Sequence, residues 1–148
     1  LRGLRMERWM ANAYTFVVPG KPRGKARPRL GRGGHVFSPD AGNFQSDVKA
    51  LGLNSKNTNG AELAEGPVEM VIKIERQIPK SWSKKKQKAQ LGAPAMGRPD
   101  INNVASAIFD ALEGTFYYDD LQIGAVSVSR TWADHHATTI TVKTEETK

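Results

Sequence analysis

An acidic segment stands out in the C-terminal half of the chain. It carries five carboxylates and no lysine or arginine: Asp100, Asp110, Glu113, Asp119 and Asp120. Clustered carboxylates repel one another unless a cation lies between them. Hard oxygen ligands suit Mg²⁺ or Mn²⁺, which phosphodiester hydrolysis uses to position water and to stabilise developing charge. The residue types therefore indicate a divalent-metal site of the kind that nucleases use.

The helix and the strand predicted around this segment determine whether its carboxylates lie close together. Apolar residues recur at helical spacing after Pro99, which predicts a helix that begins near Asp100 and stops at Gly114. Asp119 and Asp120 come just before a β-rich run. A short turn between a helix and an adjacent strand can bring Asp100 and Asp119–Asp120 together at one end of the pair. The spacing leaves an alternative open, namely an ordinary helix-capping Asp100, a solvated helix face and an Asp-Asp turn.

Two basic blocks suggest a polyanionic partner. The formal net charge is +7, and neither block contains an acidic residue. The first block, residues 20–32, includes Lys21, Arg23, Lys25, Arg27 and Arg29; the second, residues 80–98, includes Lys84, Lys85, Lys86, Lys88 and Arg98. Such clusters repel one another and add nothing to a fold, so they favour nucleic acid as the partner. The alternative is a pair of solvated loops that aid solubility.

Composition limits the remaining choices. The 148 residues are enough for one domain, and the absence of cysteine excludes a disulfide framework, a thiolate nucleophile and a thiolate zinc site. No apolar run reaches the length of a membrane span, so we expect a cytoplasmic protein with no membrane partner. The stretch GKPRGKA lacks the spacing and the Ser/Thr of a phosphate loop, so no nucleotide cofactor is expected. We expect residues 1–12 to be a disordered or vector-derived tail before the domain, with Met6 or Met10 as a natural start.

The hydrophobic pattern predicts a small α+β domain over residues 13–148, with a mixed β-sheet packed by helices. Strands are predicted at residues 13–19 and 68–78. A helix should run from Ser38–Pro39 to about Leu53, followed by a polar linker over residues 54–60. Ser81 or Ser83 is expected to cap a short basic helix that ends near Gln90. Residues 121–132 and 137–143 should form a β-hairpin.

Several of these motifs, taken in order, resemble one known family. RPDINNVASAIFDALEG…YYDDLQI resembles the RusA family of Holliday junction resolvases, whose signature reads roughly K/R-P-D-x-D-N…K…D-A-L-x-G…D-D-x-Q-I. FVVPGKPRGKARPR resembles the opening strand and basic loop of that family, and VFSPD its helix start. IPKSWSKKK is similar to a segment of its phage-type members. The resemblance covers residues 14–143.

This resemblance implies a homodimeric, Mg²⁺-dependent endonuclease that cuts four-way DNA junctions by paired symmetric nicks in recombination and repair. Mn²⁺ is expected to substitute for Mg²⁺. Asp100, Asn102 and Asp120 occupy the family's catalytic positions, and Asp119 is a neighbouring acid of the same metal site. The cations of both basic blocks are expected to contact DNA. The natural setting would be a bacterial or phage-infected bacterial cell.

Two positions depart from the family pattern. Asn102 stands where the family has its second catalytic Asp, and Ser106 stands where many members have a Lys. Asn102 keeps the size of Asp and one oxygen ligand but removes a negative charge, so the chain as written should bind junctions better than it cuts them. The change is either engineered or natural. The rival interpretations are a non-catalytic junction-binding protein that has lost its metal site and a less selective nuclease that acts on branched DNA.

Overall fold

The computed structural model describes residues 12–24, 29–30, 36–37 and 42–145. Its strands are β1 (Asn12–Pro19), β2 (Arg29–Leu30), β3 (Val36–Phe37), β4 (Val68–Gln77), β5 (Ile123–Ala133) and β6 (Ala137–Thr144). Its helices are α1 (Gly42–Asn59), α2 (Lys84–Gln90) and α3 (Ile101–Leu112), and a 3₁₀ turn over Asp120–Gln122 precedes β5. The single α+β domain with a mixed sheet, expected from the sequence, is confirmed.

The main sheet has four strands in the order β1-β6-β4-β5. β4 lies parallel to β5 and antiparallel to β6, which also pairs antiparallel with β1. The predicted hairpin between β5 and β6 is therefore wrong, because β4 lies between these two strands. The short connection passes over the end of β4, where the Gln77 N–H donates to His136 Nδ1 at 3.1 Å and the Ile78 N–H donates to the Ala133 carbonyl at 2.9 Å.

One face of the sheet carries the core. On β4 every second residue is buried (Val68, Met70, Ile72 and Ile74), as the alternating pattern predicts. α1 and α3 cover this face and pack against each other. They approach closely at Gly52, where a Cβ atom would lie 2.5 Å from Leu112 Cδ2. The result is a two-layer arrangement of helices on one sheet face.

α3 follows its sequence pattern closely. The predicted apolar face is buried at Val104, Ala105, Ile108, Ala111 and Leu112. The helix ends at Leu112, and Gly114 follows with a φ of +84°, a backbone conformation that glycine adopts without strain. The positions of Asp100, Asp110 and Glu113 are therefore set by an ordinary amphipathic helix and its two caps.

α1 extends beyond its predicted end. The residues expected to form a polar linker continue the helix to Asn59, whose side-chain amide donates to the Ser55 carbonyl at 2.7 Å. Ser55 itself is buried. Tertiary packing thus keeps a polar sequence helical here.

Several predictions fall outside the described residues. They concern the N-terminal tail up to residue 11, the proposed helix start at Ser38–Pro39, and Lys25 and Arg27 in the first basic block. Within the described residues, no helix combines the length and the apolar character needed to cross a membrane.

Candidate functional site

The first part of the candidate site lies at the start of α3. Asp100 is the N-cap, and its Oδ1 accepts a hydrogen bond from the Asn103 N–H at 2.7 Å. Asn102 is exposed in the first turn of the helix. Capping occupies one carboxylate oxygen of Asp100 and leaves the second one for another ligand.

A second acidic group lies beyond the other end of α3. Carboxylate oxygens of Glu113, Asp119 and Asp120 lie within 4.8 Å of one another, and all three residues are exposed. The Gln122 side chain fixes the local backbone by accepting from the Tyr118 and Asp119 N–H groups at 2.7 and 3.0 Å. This donor set of carboxylate oxygens suits a hard divalent cation. Glu113 was recognised in the acidic segment, but its sequence position did not identify it as a metal ligand.

The negative charges near this second group affect the pKa of a buried tyrosine, Tyr117. Burial raises the pKa of Tyr117 far above its ordinary value, and the negative charges of Glu113, Asp120 and Asp110 raise it further. The Tyr117 hydroxyl donates to the Phe109 carbonyl at 2.6 Å. Tyr117 therefore remains neutral and helps to tie the acidic turn to α3.

The two acidic groups are separated within one chain. α3 has 12 residues between its caps, Asp100 and Glu113, and a helix of this length spans about 18 Å. Asp119 and Asp120 lie next to Glu113. The turn between α3 and β5 therefore does not bring Asp100 beside Asp119 and Asp120 in a single chain.

A cation-lined groove lies beside Asp100. A cavity of about 970 Å³ is lined by Lys21, Pro22, Arg23, Gly24, Gly97, Arg98, Pro99, Asp100 and Asn103. The loop after β1 lies close to the first turn of α3 here, since a Cβ atom at Gly24 would be 2.5 Å from Asn103 Nδ2. The fold thus joins the start of the first basic block and the end of the second at one acidic residue.

Two arginines that the sequence did not single out hold the segment leading to Asp100. Arg130 on β5 donates to the Ala95 carbonyl at 2.9 Å, to the Gly97 carbonyl at 2.8 Å and to the Pro99 carbonyl. Arg76 on β4 donates to the Met96 and Arg98 carbonyls at 3.3 and 3.4 Å. The sequence did contain an indication of this role, because each arginine is the cation nearest the C-terminal end of its strand.

Arg130 is partly buried in this contact. Burial lowers its pKa, the charge of Arg76 lowers it further, and the carboxylate of Asp100 opposes both effects. The arginine pair thus connects the sheet to the residues that carry Asp100. We call the contact of Arg76 and Arg130 with residues 95–99 the arginine clasp.

Replacing Arg130 by Gln is expected to loosen the arginine clasp. Loss of three hydrogen bonds from a charged donor to backbone carbonyls should lower the free energy of unfolding by about 2 kcal/mol. Exchange of the Ala95 amide, which donates to the Arg130 carbonyl at 2.9 Å, should also accelerate. Arg98→Gln is the control because the Arg98 side chain is exposed. Equal urea midpoints and equal exchange rates for the two variants would show that Arg130 does not position this segment.

The second basic block lies mainly on α2. Of the two predicted caps, Ser81 and Ser83, Ser83 is the N-cap, and its hydroxyl accepts from the Lys86 N–H at 3.2 Å. Lys84, Lys85, Lys86 and Lys88 are exposed. Lys86 Nζ lies 4.1 Å from the ring centroid of Trp82, which packs edge-on against Trp132. α2 therefore presents a cationic surface anchored by aromatic side chains. No side-chain placement is described for Arg29, so its proposed DNA contact stays a prediction.

Comparison with known proteins identifies the family. Residues 19–143 match the family model described as Endodeoxyribonuclease RusA. The chain belongs to the RusA family. Its members are endodeoxyribonucleases, and the RusA match includes every described residue of the acidic segment and the cation-lined groove.

A relative in Bacillus subtilis (strain 168) is similar over most of both chains. It is described as Uncharacterized protein YqaN and is 31% identical over 128 residues, which cover 83% of this chain and 90% of the relative. The resemblance of the sequence motifs to the RusA family is confirmed by the family match over residues 19–143.

Proposed function

We propose that this RusA-family protein is a Mg²⁺-dependent endonuclease that resolves four-way DNA junctions by paired nicks, acting as a homodimer in the bacterial cytoplasm. The observation that carries the proposal is the placement of Asp100 at the edge of a groove lined by Lys21, Arg23 and Arg98. A phosphodiester held by these cations would lie against the carboxylate.

The proposed roles of the side chains follow from their charges. Lysine and arginine side chains in the groove and on α2 bind backbone phosphates and orient the strand. The proposed ligands of Mg²⁺ are the Asp100 carboxylate with the Asn102 amide oxygen at one end of α3, and the carboxylates of Asp119 and Asp120 at the other end; Mn²⁺ would fit the same oxygens. One ion would combine the two groups only if they came from different copies of the proposed homodimer. Bound Mg²⁺ would supply a polarised water and neutralise charge on the phosphate. Glu113 joins this set because its carboxylate lies with those of Asp119 and Asp120.

Asn102 favours binding over cutting in the chain as written. It offers one neutral oxygen where a carboxylate would supply negative charge to a dication. The same observation supports a second candidate function, a junction-binding protein without cleavage activity. The two candidates differ in metal-dependent nicking and agree in junction affinity.

Junction binding in EDTA tests the proposed DNA-binding surface. Affinity should fall with salt by about 0.9 log units per contacted phosphate per log unit of salt. Combined Lys21→Glu and Arg98→Glu should therefore flatten the slope by about 1.8. Lys49→Glu with Lys73→Glu makes the same change in net charge at exposed residues outside the groove lining. Equal slopes for the two double variants would remove the groove from the DNA interface, and a preference for duplex over junction would contradict junction recognition.

A further inference from the structure

α2 is too short to be stable by itself. It has 7 residues, and none of them is buried, whereas isolated helices shorter than about 12 residues are marginal in water. Ser83 caps the helix, and the side-chain amide of Gln87 donates to the Trp82 carbonyl at 2.7 Å. The position of α2 on the domain therefore depends on the residues that flank it.

Both ends of α2 are attached to Trp132, near the end of β5. Before the helix, the Trp82 ring packs edge-on against the Trp132 ring, with the ring centroids 4.9 Å apart. After the helix, the Gly92 N–H donates to the Trp132 carbonyl at 2.8 Å, and the Trp132 N–H donates to the Ala93 carbonyl at 3.0 Å. The two rings belong to a small hydrophobic cluster that is separate from the main core. Trp132 thus fixes α2 against the sheet.

Trp132 also contacts the arginine clasp. Arg76 Cζ lies 5.4 Å from the centroid of the Trp132 ring. The same guanidinium donates to the backbone carbonyls of Met96 and Arg98, at 3.3 and 3.4 Å. These residues lead directly to Asp100. A continuous series of contacts therefore connects α2 with the segment that carries Asp100.

The lysines of α2 lie on two sides of the helix. At about 100° per residue, Lys84, Lys85 and Lys88 project within one sector, and Lys86 projects outside it. Lys86 Nζ lies 4.1 Å from the ring centroid of Trp82, so this cation is engaged with the ring. The other three lysines are exposed, and residues 80–98 contain no acid that could neutralise them. We call Lys84, Lys85 and Lys88 the outer face of α2.

We infer that Trp82 and Trp132 hold α2 at a set distance from Asp100, so that the outer face of α2 binds backbone phosphates of the same DNA arm that occupies the groove. Trp82 is then a positioning residue, because it fixes the lysines that contact DNA. The inference rests on the proposed function for the phosphate beside Asp100.

The separations along this series of contacts are compatible with a single arm. They are 5.4 Å from Arg76 to the Trp132 ring, 4.9 Å between the two indole rings and 4.1 Å from the Trp82 ring to Lys86. Each is short compared with one helical turn of B-DNA, which is about 34 Å. The α2 phosphates should therefore lie within about one helical turn of those in the groove.

Ethylation interference on a four-way junction in EDTA tests the outer face, because ethylating a contacted phosphate weakens binding. Combined Lys84→Gln, Lys85→Gln and Lys88→Gln should abolish interference at about three phosphates and flatten the salt slope by about 2.7. These phosphates should lie in the arm whose interference is lost with the variant that combines Lys21→Glu and Arg98→Glu. The matched control combines Lys49→Gln, Lys56→Gln and Lys73→Gln, which lie outside α2 and the groove lining, and should keep the parental pattern.

The outcomes separate this inference from the proposed function. Interference lost with the groove variant but not with the α2 variant would overturn the inference and leave the proposed function standing. Interference lost with the α2 variant only in arms without a groove phosphate would also overturn the inference. A parent protein that shows no interference at any phosphate would contradict both.

Trp82→Ala tests the positioning role, because all the lysines of α2 remain. This variant should lose interference at the α2 phosphates and keep it at the groove phosphates, which also shows that the domain is folded. Trp82→Phe keeps a ring that can pack against Trp132 and should restore the α2 interference. A role in stability alone would lower the urea midpoint of Trp82→Ala and leave its interference pattern unchanged. That result would overturn Trp82 as a positioning residue.

Discussion

Asn102→Asp is expected to raise the rate of Mg²⁺-dependent junction nicking on the order of 100-fold, because a hard dication is held mainly by charge and oxygen count. Asn102 is exposed in the first turn of α3, two residues after Asp100. The new carboxylate changes the side chain's shape little and adds a negative charge next to Asp100, a proposed ligand. Junction affinity in EDTA should fall slightly, since that charge also repels phosphate. A Mg²⁺ titration of the nicking rate measures the first effect, and a gel-shift titration measures the second.

The control for this experiment separates local charge from net charge. Asn54→Asp makes the same substitution at an exposed position on α1, outside the groove lining. It should leave both the nicking rate and its Mg²⁺ dependence unchanged. Equal cleavage by the parent chain and by Asn102→Asp over the titration would show that position 102 does not belong to the metal site.

Asp120→Asn, made in the Asn102→Asp background, is expected to reduce nicking on the order of 100-fold, because it removes an anionic oxygen from the proposed metal site. Glu113→Gln should also weaken metal binding, since the carboxylate of Glu113 lies within 4.8 Å of those of Asp119 and Asp120. Mn²⁺ titration by calorimetry measures the loss of affinity directly and does not depend on cleavage.

Glu62→Gln is the matched control for these two variants, because Glu62 is an exposed acid outside the acidic segment. It should bind Mn²⁺ as the Asn102→Asp parent does. Retention of nicking and of Mn²⁺ affinity by Asp120→Asn would exclude Asp120 as a ligand and would place the site around Asp100 alone.

The sequence specified individual elements well because their determinants are local. The apolar residues of α3 recur at helical spacing and all face the core, and β4 alternates as a strand with one buried face should. The basic helix with its Ser83 cap follows from capping preferences that act within one turn. The family signature lies on α3 and on the turn before β5, and it selected Asp100, Asp119 and Asp120 as candidate site residues but not Glu113.

The arrangement of the helices and strands was harder to predict from the sequence, because it depends on contacts between residues that are distant in the chain. The placement of β4 between β5 and β6 is fixed by pairing across the sheet, which a short connection alone does not specify. The arginine clasp joins strand ends to a loop 20 or more residues away in sequence. The separation of Asp100 from Asp120 follows from the length of α3 and from the proximity of Asp120 to Glu113 at its far end.

Cleavage of a plasmid that extrudes a four-way junction tests the central claim most directly. Paired nicks made within one bound complex convert the supercoiled circle to a linear product, whereas single nicks give an open circle. The Asn102→Asp protein in Mg²⁺ should produce linear plasmid with the two breaks opposite each other at the junction, and nothing in EDTA. A plasmid without the extruded junction should remain supercoiled. Open circles alone, or equal cleavage of the two plasmids, would contradict the assignment of this protein as a junction-resolving endonuclease.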